Sequence, residues 1–166
     1  MNSRLKEAAL KFVERAKQNG SYGEILDKKV IEELNKKLKG NLPEWYAELL
    51  MTVPICHLEL GWQAYELEDD FDGIDWMEFC DDRGIISESV DCYPGLAILE
   101  KGYLNISADS MGGGNPYFID TAKGDNPPVY RVYNDVSDDP EIIIAEAMNL
   151  VSEHLSDLFL NGFVEE

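Results

Sequence analysis

The sequence of 166 residues has few cysteines and histidines, the side chains that build disulfide frameworks and zinc sites, and it has no long apolar run. Its three cysteines, Cys56, Cys80 and Cys92, are an odd number without paired spacing, which argues against both a disulfide framework and a zinc site. The longest uninterrupted apolar runs, such as residues 142–145, are too short for a spanning helix or a secretory signal. We therefore expect a soluble, cytoplasmic protein with reduced thiols, no cofactor and no metal.

Positive charge is nearly missing beyond residue 40. Residues 1–40 hold ten Lys/Arg against six Asp/Glu, a net charge of +4, whereas residues 41–166 hold four against twenty-seven, a net charge of −23. Such a field repels nucleic acid and anionic membranes and attracts basic surfaces or cations. We expect neither a nucleic-acid nor a membrane partner, although the same charge would also serve solubility alone.

Groups for catalysis are also scarce, since histidine occurs only at residues 57 and 154. Cys56 and His57 are adjacent, so on a strand they point to opposite faces and cannot form a nucleophile–base pair. Ser110, with His154 downstream, is loosely similar to the serine turn of α/β hydrolases, but a glycine-rich loop follows where that turn needs a helix. We predict a protein without enzymatic activity, with a small-molecule binder or hydrolase using Ser110 and His154 as an alternative.

Helical periodicity is clearest at the two ends of the chain. Apolar residues recur every three or four positions over residues 5–16, with Asn2 or Ser3 placed to cap the helix and Gly20 to stop it. Pro43 fits the first turn of another helix, and Pro54 prevents its continuation. The predicted helices span residues 5–16, 27–39, 43–53, a short segment from residue 74 to before Gly84, and 140–161.

Short strands fill the middle of the chain, over residues 97–133. Apolar, β-branched and aromatic residues recur in short runs that Gly, Pro, Asn and Asp separate, which is typical of an antiparallel meander. One or two earlier strands are expected in residues 55–65, a strand at residues 95–102, and a loop over residues 83–94. The predicted fold class is α+β: one domain over residues 1–166, with a mainly antiparallel sheet of about five or six strands against which N-terminal helices and a C-terminal helix pack.

Residues 66–82 are the most acidic part of the chain, with nine carboxylates in seventeen positions. Glu68, Asp70, Asp72 and Gly73 match the first, third, fifth and sixth positions of a calcium-binding loop, but Phe79 stands at the twelfth, where a bidentate carboxylate is required. We therefore predict an exposed acidic face rather than a metal site.

Two motifs resemble those of a known family. One is the helix start Leu42-Pro43-Glu-Trp-Tyr, and the other is the run Ala108-Asp-Ser-Met-Gly-Gly-Gly-Asn-Pro-Tyr-Phe-Ile-Asp120. With the neighbouring strand segments and the closing amphipathic helix, they resemble the SUKH superfamily over about residues 42–160. Members of that superfamily commonly have an Asn-Gly turn soon after the Leu-Pro helix, where this chain has residues 51–57, Met-Thr-Val-Pro-Ile-Cys-His.

The superfamily includes the yeast regulator of cell-wall glucan synthesis and many bacterial immunity proteins. The resemblance implies an α+β fold and offers no catalytic residues. It also implies either the neutralisation of a cognate toxin, often a nuclease, or a scaffolding role in signalling.

Charge and resemblance together predict an immunity-type protein that binds and neutralises a basic toxin domain through an acidic surface. A regulatory or scaffold protein that binds a cellular partner is the alternative, and the oligomeric state is left open. Trp76 would be the anchor of the surface if it is exposed, and a core residue otherwise. The predicted partner-binding residues are Glu68, Asp69, Asp70, Asp72, Asp75, Trp76 and Glu78.

Overall fold

Seven helices and one six-stranded antiparallel sheet make up the fold in a computed structural model that describes residues 1–166. The strands follow one another across the sheet in chain order, so every pairing joins sequence neighbours. This confirms the predicted α+β class and the antiparallel meander. The strands are β1 Glu59–Gln63, β2 Ile74–Phe79, β3 Tyr103–Asp109, β4 Tyr117–Asp120, β5 Val129–Val132 and β6 Met148–Ser152.

The three N-terminal helices form where the periodicity predicts them. They are α1 Ser3–Gln18, α2 Lys28–Lys37 and α3 Glu44–Thr52. The side chain of Asn2 accepts a hydrogen bond from an N–H of the first turn of α1, and Asp27 does the same for α2, so both helices have polar N-caps.

The main core lies between one face of the sheet and the helices α1, α3 and α7, the last spanning Leu155–Asn161. At its centre Phe12 of α1, Phe79 of β2 and Phe159 of α7 pack together, with ring centroids 5.2–5.9 Å apart. A second, smaller cluster covers the other face of the sheet. Its buried members are Ile98, Phe118, Val132, Ile143 and Ala147.

Residues 74–79, predicted to be helical, form strand β2 instead. Their apolar residues fit a helical stripe, but they fit strand alternation equally well, because Met77 and Phe79 are buried on one side. The flanking strands decide between the two, since β2 pairs with β1 on one edge and with β3 on the other. Tertiary pairing therefore overrides an ambiguous local pattern.

The predicted strand at residues 95–102 and the predicted loop at 83–94 are wrong. They contain α4 Asp82–Ile86, a π-helical turn Ser87–Asp91, α5 Gly95–Ile98 and a 3₁₀ turn Leu99–Lys101. The side chain of Asp81 accepts a hydrogen bond from the N–H of Gly84 at 3.0 Å and so caps α4. Ile98 belongs to the smaller cluster and Leu99 to the main core, on opposite faces of the sheet. Two adjacent residues are therefore both buried, and the sequence shows the short apolar run that is typical of a strand.

The single helix predicted over residues 140–161 is interrupted. The chain forms α6 Pro140–Ile142, a π-helical turn Ile143–Ala147, strand β6 and then α7. The apolar spacing continues through β6, but its backbone joins the sheet, where the N–H of Tyr133 donates to the carbonyl of Ala147 at 3.0 Å. Pairing with β5 outweighs the helical pattern here as well.

An ion pair between Arg131 of β5 and Asp75 of β2 spans three strand positions of the sheet. That separation is about 14 Å in a flat sheet, so the two side chains can meet only because the sheet curls. The guanidinium of Arg131 also lies 4.9 Å from the ring centroid of Trp62, 5.7 Å from that of Tyr65 and 5.4 Å from that of Tyr133. Three aromatic rings therefore surround the Arg131 guanidinium, whose ion pair with Asp75 keeps the sheet curled.

The ion pair is largely withdrawn from solvent, with side-chain exposures of 6% for Arg131 and 19% for Asp75. Burial by itself would lower the pKa of Arg131, but the hydrogen bond with Asp75 and the nearby tyrosines raise that pKa above its usual value. The indole N–H of Trp62 donates to the hydroxyl of Tyr117 at 3.0 Å, which ties β1 to β4 on the same face. Polar contacts thus link four of the six strands.

We expect Arg131→Met to lower the free energy of unfolding by about 3 kcal/mol, because the substitution leaves Asp75 largely buried without its partner. Urea unfolding at neutral pH measures this loss. The double variant Asp75→Leu with Arg131→Met should recover most of it, because neither charge then remains. A loss below about 1 kcal/mol in the single variant would mean that the pair behaves as an exposed one.

Candidate functional site

The seven predicted partner-binding residues are divided by the alternation of β2. Trp76 and Glu78 point to one face of the sheet, whereas Asp75 points to the other, with Met77 and Phe79. Asp75 is held there by Arg131. We therefore leave Asp75 out of the candidate surface and keep the other six residues.

Four of those six, Glu68, Asp69, Asp70 and Asp72, are exposed on the loop that joins β1 to β2. The backbones of Glu68 and Phe71 exchange two hydrogen bonds, of 2.9 and 3.2 Å, which close the loop. None of the four carboxylates forms an ion pair. They are not gathered around a cation position either, because no group of three or more His, Cys, Asp or Glu side chains is arranged to hold a metal ion.

Trp76 lines a groove of about 450 Å³ beside this loop. Its ring packs against Gly61 on β1, where a Cβ atom would lie 3.1 Å from the ring. Trp76 is half-buried, so it is neither a core residue nor a fully exposed one. The groove is lined by Glu59, Phe71, Asp72, Ile74, Trp76, Ser110, Met111 and Glu165.

Three carboxylates, Glu59, Glu78 and Glu165, lie near one another on β1, β2 and the C-terminal segment, and we call them the acidic cluster; Glu59 and Glu165 line the groove, and Glu78 lies beside Glu59. Glu59 and Glu78 are directly opposite each other in the β1–β2 ladder. Burial raises the pKa of Glu59, and the charges of Glu165 and Glu78 and a hydrogen bond with Glu165 raise it further. Like charges in directly opposite positions destabilise a sheet, and no cation of the chain is paired with any of the three.

Sequence reasoning did not find Glu59 and Glu165. Glu59 belongs with Glu78 only through the register of β1 and β2, and Glu165 approaches from the C-terminal segment that pairs with β1 at Gly61. In the sequence, the only indication that these two glutamates take part was the excess of acidic residues in the whole region after residue 40.

A second cavity, of about 320 Å³, adjoins the groove and shares Glu59 and Glu165 with it. Tyr22 and His57 also line it, and Nε2 of His57 lies 3.3 Å from a carboxylate oxygen of Asp81 and 3.7 Å from one of Glu24. The neighbouring Cys56 is buried, and burial, with nearby carboxylates adding, raises the pKa of its thiol to about 12. That thiol is therefore protonated at neutral pH and is a poor nucleophile.

Ser110 and His154 lie at opposite ends of the sheet. Ser110 follows the C-terminal end of β3 and donates its backbone N–H to the carbonyl of Trp76 at 3.1 Å. His154 follows β6, whose C-terminal end aligns through the strand register with the start of β3, and its Nδ1 lies 3.0 Å from the carbonyl oxygen of Asn126. The two side chains cannot act together as nucleophile and base.

A family model supplies the remaining observation: the SMI1 / KNR4 family (SUKH-1) matches residues 25–161. The chain belongs to this family. The match covers most of the chain and confirms the predicted SUKH resemblance, and it begins early enough to include α2. That the family domain extends over all of residues 1–166 stays a prediction. No curated protein matches the sequence.

Members of the SUKH family are generally immunity or regulatory proteins rather than enzymes. None of the helices combines the length and the apolar content that crossing a membrane requires. Where other SUKH proteins commonly have an Asn-Gly turn, the chain enters β1 through His57, whose φ of +73° lies in the left-handed region that glycine and asparagine favour.

The raised pKa of Glu59 makes a pH-dependent prediction. The folded protein holds this proton more tightly than the unfolded chain, in which a glutamate has a pKa of about 4.3. The stabilisation from Glu59 is therefore fully present below that pH and is lost as the pH rises through the raised pKa of the folded state. We expect the Tm of the wild type to fall below that of Glu59→Gln as the pH rises from about 4.3 to 7.

Thermal unfolding of both proteins in steps across this range measures the difference. The control is Glu66→Gln, which makes the same change of charge on the exposed loop. A difference between the Glu59 variant and the wild type that does not change with pH would contradict the prediction.

Proposed function

We propose that the protein is an immunity-type protein, which binds a cognate toxin domain through the acidic loop and groove at the β1–β2 hairpin and blocks its action. The observation that carries the proposal is a set of solvent-facing carboxylates without internal cations, placed around an aromatic and apolar groove. Uncompensated charge of this kind is costly in a folded chain and becomes favourable when a basic partner covers it.

The acidic part of the chain cannot neutralise itself. Residues 41–166 contain only four basic side chains, and three of them form ion pairs elsewhere: Arg83 with Asp81, Lys101 with Glu141, and Arg131 with Asp75. Each of these pairs lies outside the loop and groove. The carboxylates of the β1–β2 hairpin therefore keep their negative charge toward solvent, and this charge would steer and accelerate association with a positively charged protein.

The groove adds contact area that charge alone does not provide. Phe71 and Met111 are 44% and 58% exposed, and Trp76 lines the same groove. Half-buried aromatic side chains surrounded by polar groups are the usual anchors of protein interfaces. This arrangement fits the surface of a folded partner better than a small molecule, because the groove is open and most of its polar lining is carboxylate.

A nuclease domain is the toxin class that fits best, because a nuclease presents a basic cleft to the phosphates of its substrate. An acidic surface with an apolar anchor can occupy such a cleft and exclude nucleic acid from it. The family to which the chain belongs supports an immunity-type role in general terms.

A regulatory or scaffold protein is the second candidate, since the SUKH superfamily also includes a yeast cell-wall regulator. Such a protein would use the same surface without inhibiting its partner. Co-expression with the product of a neighbouring toxin gene separates the two roles. Protection of the cells supports the immunity role, whereas binding without protection supports the scaffold role.

Reversing charge on the loop should slow association with the toxin domain. For Glu68→Lys, Asp69→Lys and Asp72→Lys combined, we expect the association rate constant at low salt to fall by about tenfold or more, with a flatter dependence on ionic strength. Stopped-flow mixing with the product of the neighbouring toxin gene, from low to high salt, measures both quantities.

The matched control is Asp135→Lys, Asp138→Lys and Glu153→Lys combined, which makes the same change of net charge at exposed positions outside the hairpin. This control should keep most of the association rate. If both triple variants slow association equally, net charge and not the β1–β2 surface governs binding.

A further inference from the structure

Strand β1 is one edge of the sheet, and part of the chain already lies on that edge as a short added strand. The N–H of Gly61 donates to the carbonyl of Phe163 at 2.9 Å, and the N–H of Phe163 donates to the carbonyl of Gly61 at 2.8 Å. We call residues 162–166 the C-terminal segment. Because the direction of the backbone groups alternates along a strand, the N–H and carbonyl of Glu59 point to the same edge as those of Gly61.

The pairing between β1 and the C-terminal segment stops after this one bridge. In an antiparallel pair, the residue two positions before Gly61 faces the residue two positions after Phe163, so Glu59 would face Glu165. No backbone hydrogen bond joins these two residues. Both carry carboxylates, and like charges in directly opposite positions weaken a ladder. The edge groups of Glu59, which is exposed at the start of β1, are therefore left without a strand partner.

The C-terminal segment is held firmly at its start and loosely along the rest of its length. A guanidinium nitrogen of Arg15 donates to the carbonyl of Gly162 at 2.7 Å, and a Cβ atom at Gly162 would lie 2.6 Å from a side-chain atom of β1. Beyond this point Val164 packs against the main core, whereas Phe163 is 40% exposed. Two backbone hydrogen bonds and one apolar side chain are a weak attachment, which a better-matched strand can replace.

We propose that an extended strand of the partner replaces residues 163–166 on β1 and continues the ladder to Glu59. A lysine or arginine opposite Glu59 replaces a repulsive cross-strand pair by an attractive one, so the second pair of backbone hydrogen bonds can form. The residue opposite Gly61 is apolar, because it lies on the same face as the Trp76 ring, which packs against that glycine. The residue between them faces the core, as Val164 does now.

The recognised sequence is therefore an apolar residue, a second apolar residue and a basic residue, running antiparallel to β1. Backbone pairing supplies affinity, and the alternating side chains supply specificity, as in other cases of strand addition. The inference rests on the proposed function, because it states how the chain of the partner engages the surface described there.

The test uses the full chain and the peptide Ac-Gly-Phe-Val-Lys-Lys-NH2, which is the C-terminal segment with both glutamates replaced by lysine. The control peptide, Ac-Lys-Lys-Gly-Val-Phe-NH2, has the same composition and charge but lacks the recognised order. Titration followed by amide NMR measures both affinities. Shift changes caused by the first peptide should include the amides of Glu59 and Gly61.

Two substitutions of one residue separate the backbone bond from the side chain. Phe163→Pro removes the N–H that bonds to Gly61, whereas Phe163→Ala removes the ring and keeps that N–H. The proline variant should bind the first peptide about threefold to tenfold more tightly than the alanine variant, because its own segment competes less well for the edge. The affinity for the control peptide should be the same in both variants.

A second pair of variants strengthens the competing segment instead. Glu165→Lys places opposite charges across from each other at Glu59, so the segment should pair more firmly and the affinity for the first peptide should fall by about fivefold. Glu166→Lys makes the same change of charge on a side chain that points to the other face, and it should change this affinity by less than about twofold. Both substitutions are at exposed positions, so neither should prevent folding.

Equal affinity of the two Phe163 variants for the first peptide, equally tight binding of the control peptide, or equal effects of the two lysine substitutions would overturn the inference. The proposed function is judged separately, by protection of cells. Protection without the expected peptide preference leaves the immunity role in place and rejects strand addition at β1. The expected peptide preference without protection keeps the strand-addition site and rejects the immunity role.

Discussion

The ion pair between Arg131 and Asp75 is the constraint on which the rest of the site depends. It fixes the curl of the sheet by joining β5 to β2, and three aromatic rings around the guanidinium leave it little freedom. Because the side chains of a strand alternate, holding Asp75 on the inner face forces Trp76 and Glu78 to the outer one. One buried charge pair thus determines which carboxylates of β2 a partner can meet. Its effect is mainly one of geometry, since buried pairs add little net stability.

The acidic cluster, unlike the ion pair between Arg131 and Asp75, brings like charges together and destabilises the fold. Glu59 and Glu78 face each other across two strands, and burial and repulsion raise the pKa of Glu59. The fold tolerates this cost because the core on the inner face is extensive, with the three phenylalanines of α1, β2 and α7 at its centre. Stability is thus concentrated where helices cover the sheet, and destabilising charge is placed where only solvent or a partner can meet it. Such a separation of stability from binding is common, because loops and edges can carry unfavourable groups without opening the core.

The parts of the fold that could be predicted from the sequence are those with strong local signals. The helices α1 to α3 have an apolar stripe or a proline start, and polar residues cap α1 and α2, so neighbours in sequence decide them. The segments at residues 74–79 and 148–152 have apolar residues that suit a helix and a strand alike, and only their pairing partners decide between the two. The acidic loop was visible as composition, because its carboxylates are consecutive. Glu59 and Glu165 were not, because they join Glu78 through strand register and the return of the C-terminal segment to β1.

The position of the β1–β2 hairpin has a consequence for how recognition could diverge among related proteins. Each strand pairs with its sequence neighbour, so this hairpin is the first unit of the sheet, and residues 66–72 in the loop at its tip are exposed and belong to neither buried cluster. Insertions, deletions and charge changes in that loop would alter few buried contacts. The loop can therefore vary between homologues while the strands of the hairpin, which carry Asp75 and Phe79, and the rest of the curled sheet stay constant. Selection for new targets can then proceed through this one short segment without a matching redesign of the interior.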